Sequence, residues 1–371
     1  MKKTISTFMA ILSLASYTAF SEDIATITDS VSEGLSSFAS SVLVAIPEAA
    51  TQQNVWEDAY IGQLIGLPPN LGGGISFGAT QLNMSGLKQA GEGLENITGV
   101  DIQSIPDSFA LPVISADIRI GGILFPFDIG ISGMTTNFGL YNTDLSLPSN
   151  VLSMSSGKKF SLLGYDGTFD YMAFGLDLRY CIFKETKILP MISLGGGYFF
   201  TKGQFAVTGG TTKSIDLTSL GYDTVSAQMT ANAGLGFESH VLFIQAQVSK
   251  QIGIVHIYGG ARGLISNTTT TWAWNYSTDF GDDEINAATA DDESYNGEDS
   301  GYVATGSGSE NSSWDLNSFQ PQFYAGLGCD FLVFTASFGV CADVRSLGTA
   351  ITTSDIKNFA WSGSASLRVS F

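Results

Sequence analysis

From Tyr171 to Phe183 every second residue is apolar. Met172, Phe174, Leu176, Leu178, Tyr180 and Ile182 form one set, and Tyr171, Gly175, Asp177, Arg179 and Cys181 lie in the other. A repeat of two marks a β-strand, whose successive side chains point to opposite faces. The C-terminus repeats the pattern: Ala365, Leu367, Val369 and Phe371 alternate with Ser364, Ser366, Arg368 and Ser370, and Trp361 extends the oily side. A soluble sandwich would set Lys and Glu against its oily face, yet charged residues make up only 14% of this chain, against about 25% in soluble domains. Beyond the first residues no apolar run reaches the length of a spanning helix. Low charge, Gly at 43 of 371 positions and no hydrophobic 20-mer together predict an all-β fold, a transmembrane antiparallel β-barrel whose strands show lipid and lumen alternate residues.

Further strands are expected over 73–83, 113–123, 126–139, 188–201, 224–238, 241–250, 253–266, 320–330 and 332–346. Tight turns at Phe125–Asp128, Lys184–Lys187, Ser249–Gly253 and Cys329–Phe331 belong at the periplasmic end. The long segments 84–110, 140–167 and the acidic one after 275 belong outside. Single-chain bacterial barrels use even strand numbers, and the sidedness agrees only if Gln204–Thr212 makes one more crossing. The expectation is a barrel of about 12 strands over 71–371, with Glu238–His240 as a tight outer turn.

The N-terminus reads as an export signal. Lys2 and Lys3 precede the apolar Phe8–Phe20, and Ala19-Phe20-Ser21 supplies small residues for cleavage before Glu22. Residues 1–21 are thus expected to be removed, taking the net charge from −19 to −21 with the two lysines. So acidic a chain repels nucleic acid. Across 22–70, Ile24, Ile27, Val31, Leu35, Phe38, Val42 and Ile46 recur at three or four residues, the spacing of one helix face, and Pro47 ends the pattern. This helical segment is either a hatch in the barrel mouth or a periplasmic lead-in.

Charges recur inside strands as Asp-x-Arg: Asp117/Arg119, Asp177/Arg179 and Asp343/Arg345. Residues two apart share a face, and Arg at the lipid midplane would cost about 2–4 kcal/mol, so these side chains, with Arg262 and Arg368, are expected in the lumen. Either they brace the interior and dock the N-terminal segment, or they form a constriction that selects solutes.

Residues 277–317 carry eleven Asp and Glu without one Lys or Arg, among Gly, Ser, Asn and Thr. Such a stretch is expected to stay a solvated extracellular loop. Its acidic triplets lack the alternating spacing of a calcium loop. Cys181, Cys329 and Cys341 read as small packing residues. His240 and His256 are too few for a His-rich zinc site, and no nucleophile, phosphate-loop or dinucleotide motif is present. No enzyme activity, metal or cofactor is expected.

The terminal Phe371 on an alternating strand resembles the assembly signal of outer-membrane barrels. The stretches 175–203 and 245–263 resemble uncharacterised spirochaete (treponemal-type) outer-membrane proteins, loosely similar to the long-chain fatty-acid transporter family. That family has fourteen strands, an N-terminal hatch and an initial Asn-Pro-Ala motif, which is missing here. The resemblance implies a place in the cell outer membrane, with its lipid and the barrel-assembly machinery as partners. It implies a channel or transporter for small or hydrophobic solutes. The alternative is a surface scaffold or adhesin that displays acidic loops.

Overall fold

The structure is a computed structural model that describes residues 28–52, 55–61, 70–98, 107–122, 125–135, 158–162, 165–215, 225–279, 303–344 and 360–370. A helix, α1, spans 28–52. Strand β1 (Asn70–Asn83) and helix α2 (Ser85–Thr98) follow, then β2 (Ser108–Gly121), β3 (Phe127–Thr135), β4 (Lys158–Leu162), β5 (Tyr165–Phe183) and β6 (Met191–Ile215). The remainder is β7 (Val225–Ile252), β8 (Val255–Asp279), β9 (Val303–Asn311), β10 (Gln320–Phe331), β11 (Phe334–Asp343) and β12 (Trp361–Ser370). No described helix is long and apolar enough to cross a membrane.

Ten strands close an antiparallel ring, in which β12 pairs with β1 and β8 with β10. Closure leaves no unpaired edge, which hydrocarbon would penalise. β9 lies beyond the ring's rim, against Thr269–Ser277 of β8, where β10 has left that strand. The hand-over is capped by side chains: Ser318 Oγ accepts from Ser266 N–H at 3.4 Å and Ser312 Oγ from Thr268 N–H at 3.0 Å. β4 likewise extends the wall beside the far end of β5.

The wall is oily outside and polar inside. Ile118, Phe174, Leu178, Ile244, Phe323 and Leu367 are exposed, whereas Asp117, Arg119, Asp177, Arg179, Gln247 and Arg368 are buried. On β7 the exposed apolar set runs from Leu242 to Ile252, matching the roughly 9–11 tilted residues that cross a bilayer. The rest of that strand, 225–241, stands beyond the belt, roughly 55 Å of chain at about 3.3 Å per residue. All four tight turns sit at one end, together with the start of β1 and the end of β12. The long connections are at the other. The β7–β8 turn uses Gly253 (φ +66°), and the β10–β11 turn places Leu332 at φ +61°.

Four expectations need correction. The ring has ten strands rather than twelve, because β6 and β7 run straight through the supposed breaks. Lys202, Thr201 and Phe200 pair with Glu238, Ser239 and His240 in an unbroken ladder. Lys202, Glu238 and His240 mark where the strands leave the apolar belt, so no chain reversal occurs there. Helix α1 continues through Pro47 to residue 52. The segment 84–110 contains α2. Finally, 277–317 is not loop throughout: β9 borrows the edge of β8, with Gly306 and Gly308 lying flat on Trp274 and Trp272. Most of the acidic run, 280–302, lies outside the described residues, as do the export signal, Ile24, Ile27, Arg345 and Phe371.

Candidate functional site

Helix α1 and the residues after it run down the inside of the barrel, from the rim to the turn end. The apolar face expected from spacing supplies the grip at the top. Val31, Leu35, Phe38, Val42 and Ile46 are buried in one cluster with Leu82, Leu111, Leu235, Trp272 and Trp274 of the wall. From Ala45 onward α1 is buried on every side, because strands now surround it. α2 lies across its upper part, and the backbones meet at Gly34 and Gly86. A Cβ on Gly34 would collide with Ala90 and Gly86, and one on Gly86 with Phe38 and Gly34. Rim contacts finish this end: Ser36 Oγ donates to Glu310 at 2.5 Å and Trp274 Nε1 to Ser32 Oγ at 3.2 Å.

At the helix C-terminus the lining turns polar. The unsatisfied carbonyls and negative dipole end of a helix favour a cation, and Arg262 supplies it. Its guanidinium donates to Thr51 O at 2.7 Å and Gln52 Oε1 at 3.3 Å, and is itself held by Gln322 Oε1 at 2.6 Å. Glu48 accepts from Ser362 at 2.9 Å. Asp343 is buried on β11, opposite Gln322.

Residues 55–61 have no regular structure to pair their backbone, and a buried peptide group left unpaired is costly. Wall side chains pair them instead. Gln247 donates to Trp56 O (2.5 Å), Arg179 to Asp58 O (2.8 Å), Ala59 N–H donates to Ser249 Oγ (2.9 Å) and Ile61 N–H to Asp128 Oδ2 (3.0 Å). Two guanidinium groups lie over the Trp56 ring, that of Arg119 5.4 Å and that of Arg368 4.7 Å from its centre. Gly72 lies against its ring, where a Cβ would come within 2.9 Å. His256 bridges Asp58 of the plug at 3.0 Å and Asp330 of the wall at 2.9 Å.

Seven of the eight expected lumen charges are buried inside the barrel: Asp117, Arg119, Asp177, Arg179, Arg262, Asp343 and Arg368. The eighth, Arg345, lies outside the described residues. In Asp117/Arg119 and Asp177/Arg179, however, the ion pairs do not form within the motif. Arg119 reaches Asp128 at 2.5 Å and both oxygens of Asp177 at 2.7 and 2.8 Å. Arg179 holds Asp128 with two bonds of 2.9 and 2.8 Å. Arg368 pairs with Asp117 at 3.2 Å and with Glu57 of the plug at 3.1 Å. Facing residues on paired strands are about 5 Å apart, against nearly 7 Å for i and i+2. Arg179 stands directly opposite Asp128, while Gly130 separates Arg119 from Asp177 and leaves room for the guanidinium to cross.

Asp128, Trp56, Glu57, Asp58 and Glu48 were missed as site residues. Asp128 falls where the expected turn Phe125–Asp128 overlaps the expected strand 126–139, and the others precede the first expected strand. Their chemistry is that of a plug fastened by charge-assisted hydrogen bonds, with no nucleophile–base pair in it. Among the described residues no cluster of three or more His, Cys, Asp or Glu could hold a metal. Cys181 and Cys341 are buried, Cys329 is partly buried, and none forms a disulfide.

No family model matches this chain, and no curated protein matches it. The spirochaete resemblance therefore has no match behind it. Solved structures do match at a distance. The translocator domain of autotransporter NalP from Neisseria meningitidis aligns over 88% of this chain and 99% of its own, at 8% identity and TM-score 0.31. A Pseudomonas aeruginosa FadL homologue aligns over 82% and 90%, at 8% identity and TM-score 0.24. The Ralstonia pickettii toluene transporter TbuX aligns over 83% and 90%, at 8% identity and TM-score 0.21. At such scores these likenesses support no further step. What stands on the geometry is a closed, lipid-facing β-barrel with its own N-terminal segment threaded through it.

Proposed function

We propose that the protein is a plugged channel of the outer membrane, with no catalytic role, and that a small solute passes through the lumen when residues 28–61 yield. The observation that carries this reading is the fastening of the plug. Its lower half is held by side-chain hydrogen bonds and ion pairs, which water can replace one by one. A helix with its side chains is about 10–12 Å across, so its departure opens a path for a small molecule. Trp272, Trp274, Tyr276 and Phe237 would line the upper part of that path and suit an apolar or amphipathic solute. The charged ring below would select against bulk ions of either sign.

Planar-bilayer conductance of refolded protein tests this directly. The full chain should be nearly silent, and a chain lacking residues 22–65 should conduct steadily. A disulfide should lock the closed state. A Cβ on Gly328 would stand 3.2 Å from that of Glu57, near the 3.5–4.5 Å of a cystine, so Glu57→Cys with Gly328→Cys should join plug to wall. If removing the plug leaves the barrel silent, the channel reading fails. The tall rim of β6, β7 and β8 favours a second reading, a scaffold for surface display. An epitope inserted after Gly297 should then be reached by antibody on intact cells, and labelling only after permeabilisation would exclude display.

A further inference from the structure

The lipid-facing wall carries a hollow that the channel reading does not use. One register line across the outside runs Leu178 on β5, Gly196 on β6, Ile244 on β7 and Gly263 on β8. Leu178 and Ile244 are exposed there, at 46% and 71%, so the two glycines face lipid as well. Glycine weakens a strand interior and marks a place where something approaches closely. Around these notches lies an apolar groove of about 790 Å³, with Tyr198 and Leu242 on its upper side. Phe319, from the connection before β10, folds over one end. Its ring lies against Gly263, where a Cβ would meet it at 2.5 and 2.8 Å.

The groove is not uniformly oily at its margin. The Tyr198 hydroxyl bonds His240 Nδ1 at 2.6 Å, His240 Nε2 lies 3.5 Å from Glu238, and Glu238 pairs with Lys202 at 3.3 Å. These residues follow Leu242 up the same outward face, where the apolar belt ends. The wall thus offers a hydrocarbon trough that opens onto adjacent positive and negative groups, each about half exposed. A long chain joined to a headgroup of the same two charges is complementary to it.

We propose that the groove holds one zwitterionic phospholipid of the surrounding membrane. An acyl chain lies over Gly196 toward Phe319, the phosphate faces Lys202 and the amine faces Glu238. Full-length protein in nanodiscs of equal phosphatidylethanolamine and phosphatidylglycerol, transferred to mild detergent, is weighed by native mass spectrometry. One phosphatidylethanolamine should remain bound. Ile244→Trp, which fills the trough, should lower retention at least tenfold, while Ile75→Trp, on the lipid-facing side of β1 across the ring from β7, should not. Lys202→Ala with Glu238→Ala should erase the preference between the two lipids. Unheated gels report folding, and Leu242→Trp replaces Ile244→Trp if that variant fails to fold. Equal retention of both lipids by the unaltered protein, or equal effects of the two tryptophans, would overturn the assignment.

Discussion

Asp128 is the residue on which the brace turns. It accepts from Arg119, twice from Arg179 and from the Ile61 N–H of the plug, and it is fully buried. Asp128→Ala therefore strands donors from two guanidinium groups and one peptide. Removing one partner of a buried ion pair costs about 3–5 kcal/mol. The lower end applies here, because Arg119 keeps Asp177 and Arg179 keeps Asp58 O. That is still about two decades in the unfolding equilibrium, a large share of the roughly 5–15 kcal/mol that holds a protein folded. Asp177→Ala should cost less, about 1–3 kcal/mol, since it serves Arg119 alone among these arginines and leaves Asp128 in place. Adding Arg179→Ala to Asp128→Ala should recover part of the loss, because it removes a stranded charge. Urea titration in detergent micelles, read as the folded band on unheated gels, measures all four proteins. A loss below about 1 kcal/mol for Asp128→Ala, or a larger one for Asp177→Ala, would refute the hub described here.

Gly130→Ala should destabilise by about 1–3 kcal/mol in the same titration, because its Cβ would collide with the Asp177 carboxylate and the Arg119 guanidinium; an unchanged midpoint would mean the crossing is not tight. Leu332 is fully exposed at φ +61°, so Leu332→Gly should stabilise by up to about 1–2 kcal/mol through relief of left-handed strain, and a lower melting temperature would argue against that turn. Deleting Phe371, or placing Asp at the lipid-facing Leu367, should leave protein unassembled in the periplasm, and normal surface levels of both variants would remove the assembly-signal reading.

Some of this molecule is written along the chain. Alternation in Met172–Ile182 fixes both the strand and its lipid face, because a period of two has only two sides and charge is excluded from one of them. The same parity brings Arg119, Arg179 and Arg368 indoors, and the spacing of Val31, Leu35, Phe38, Val42 and Ile46 gives the gripping face of α1. These are local signals, carried by residues within one element. Everything that depends on the neighbouring strand was decided elsewhere. Register, not sequence separation, gives Arg179 to the facing Asp128, and gives Arg119 to Asp177 across Gly130, which pairs with both and leaves the space between them open. The ladder from Phe200–Lys202 to Glu238–His240 turns an apparent hairpin into continuous wall. β9 is a strand only because β8 offers an edge, and residues 56–61 hold their path through side chains that the lumen wall turns toward their backbone. A polar run carries no mark of whether water or a paired strand will satisfy it, and closing the barrel is what makes that choice.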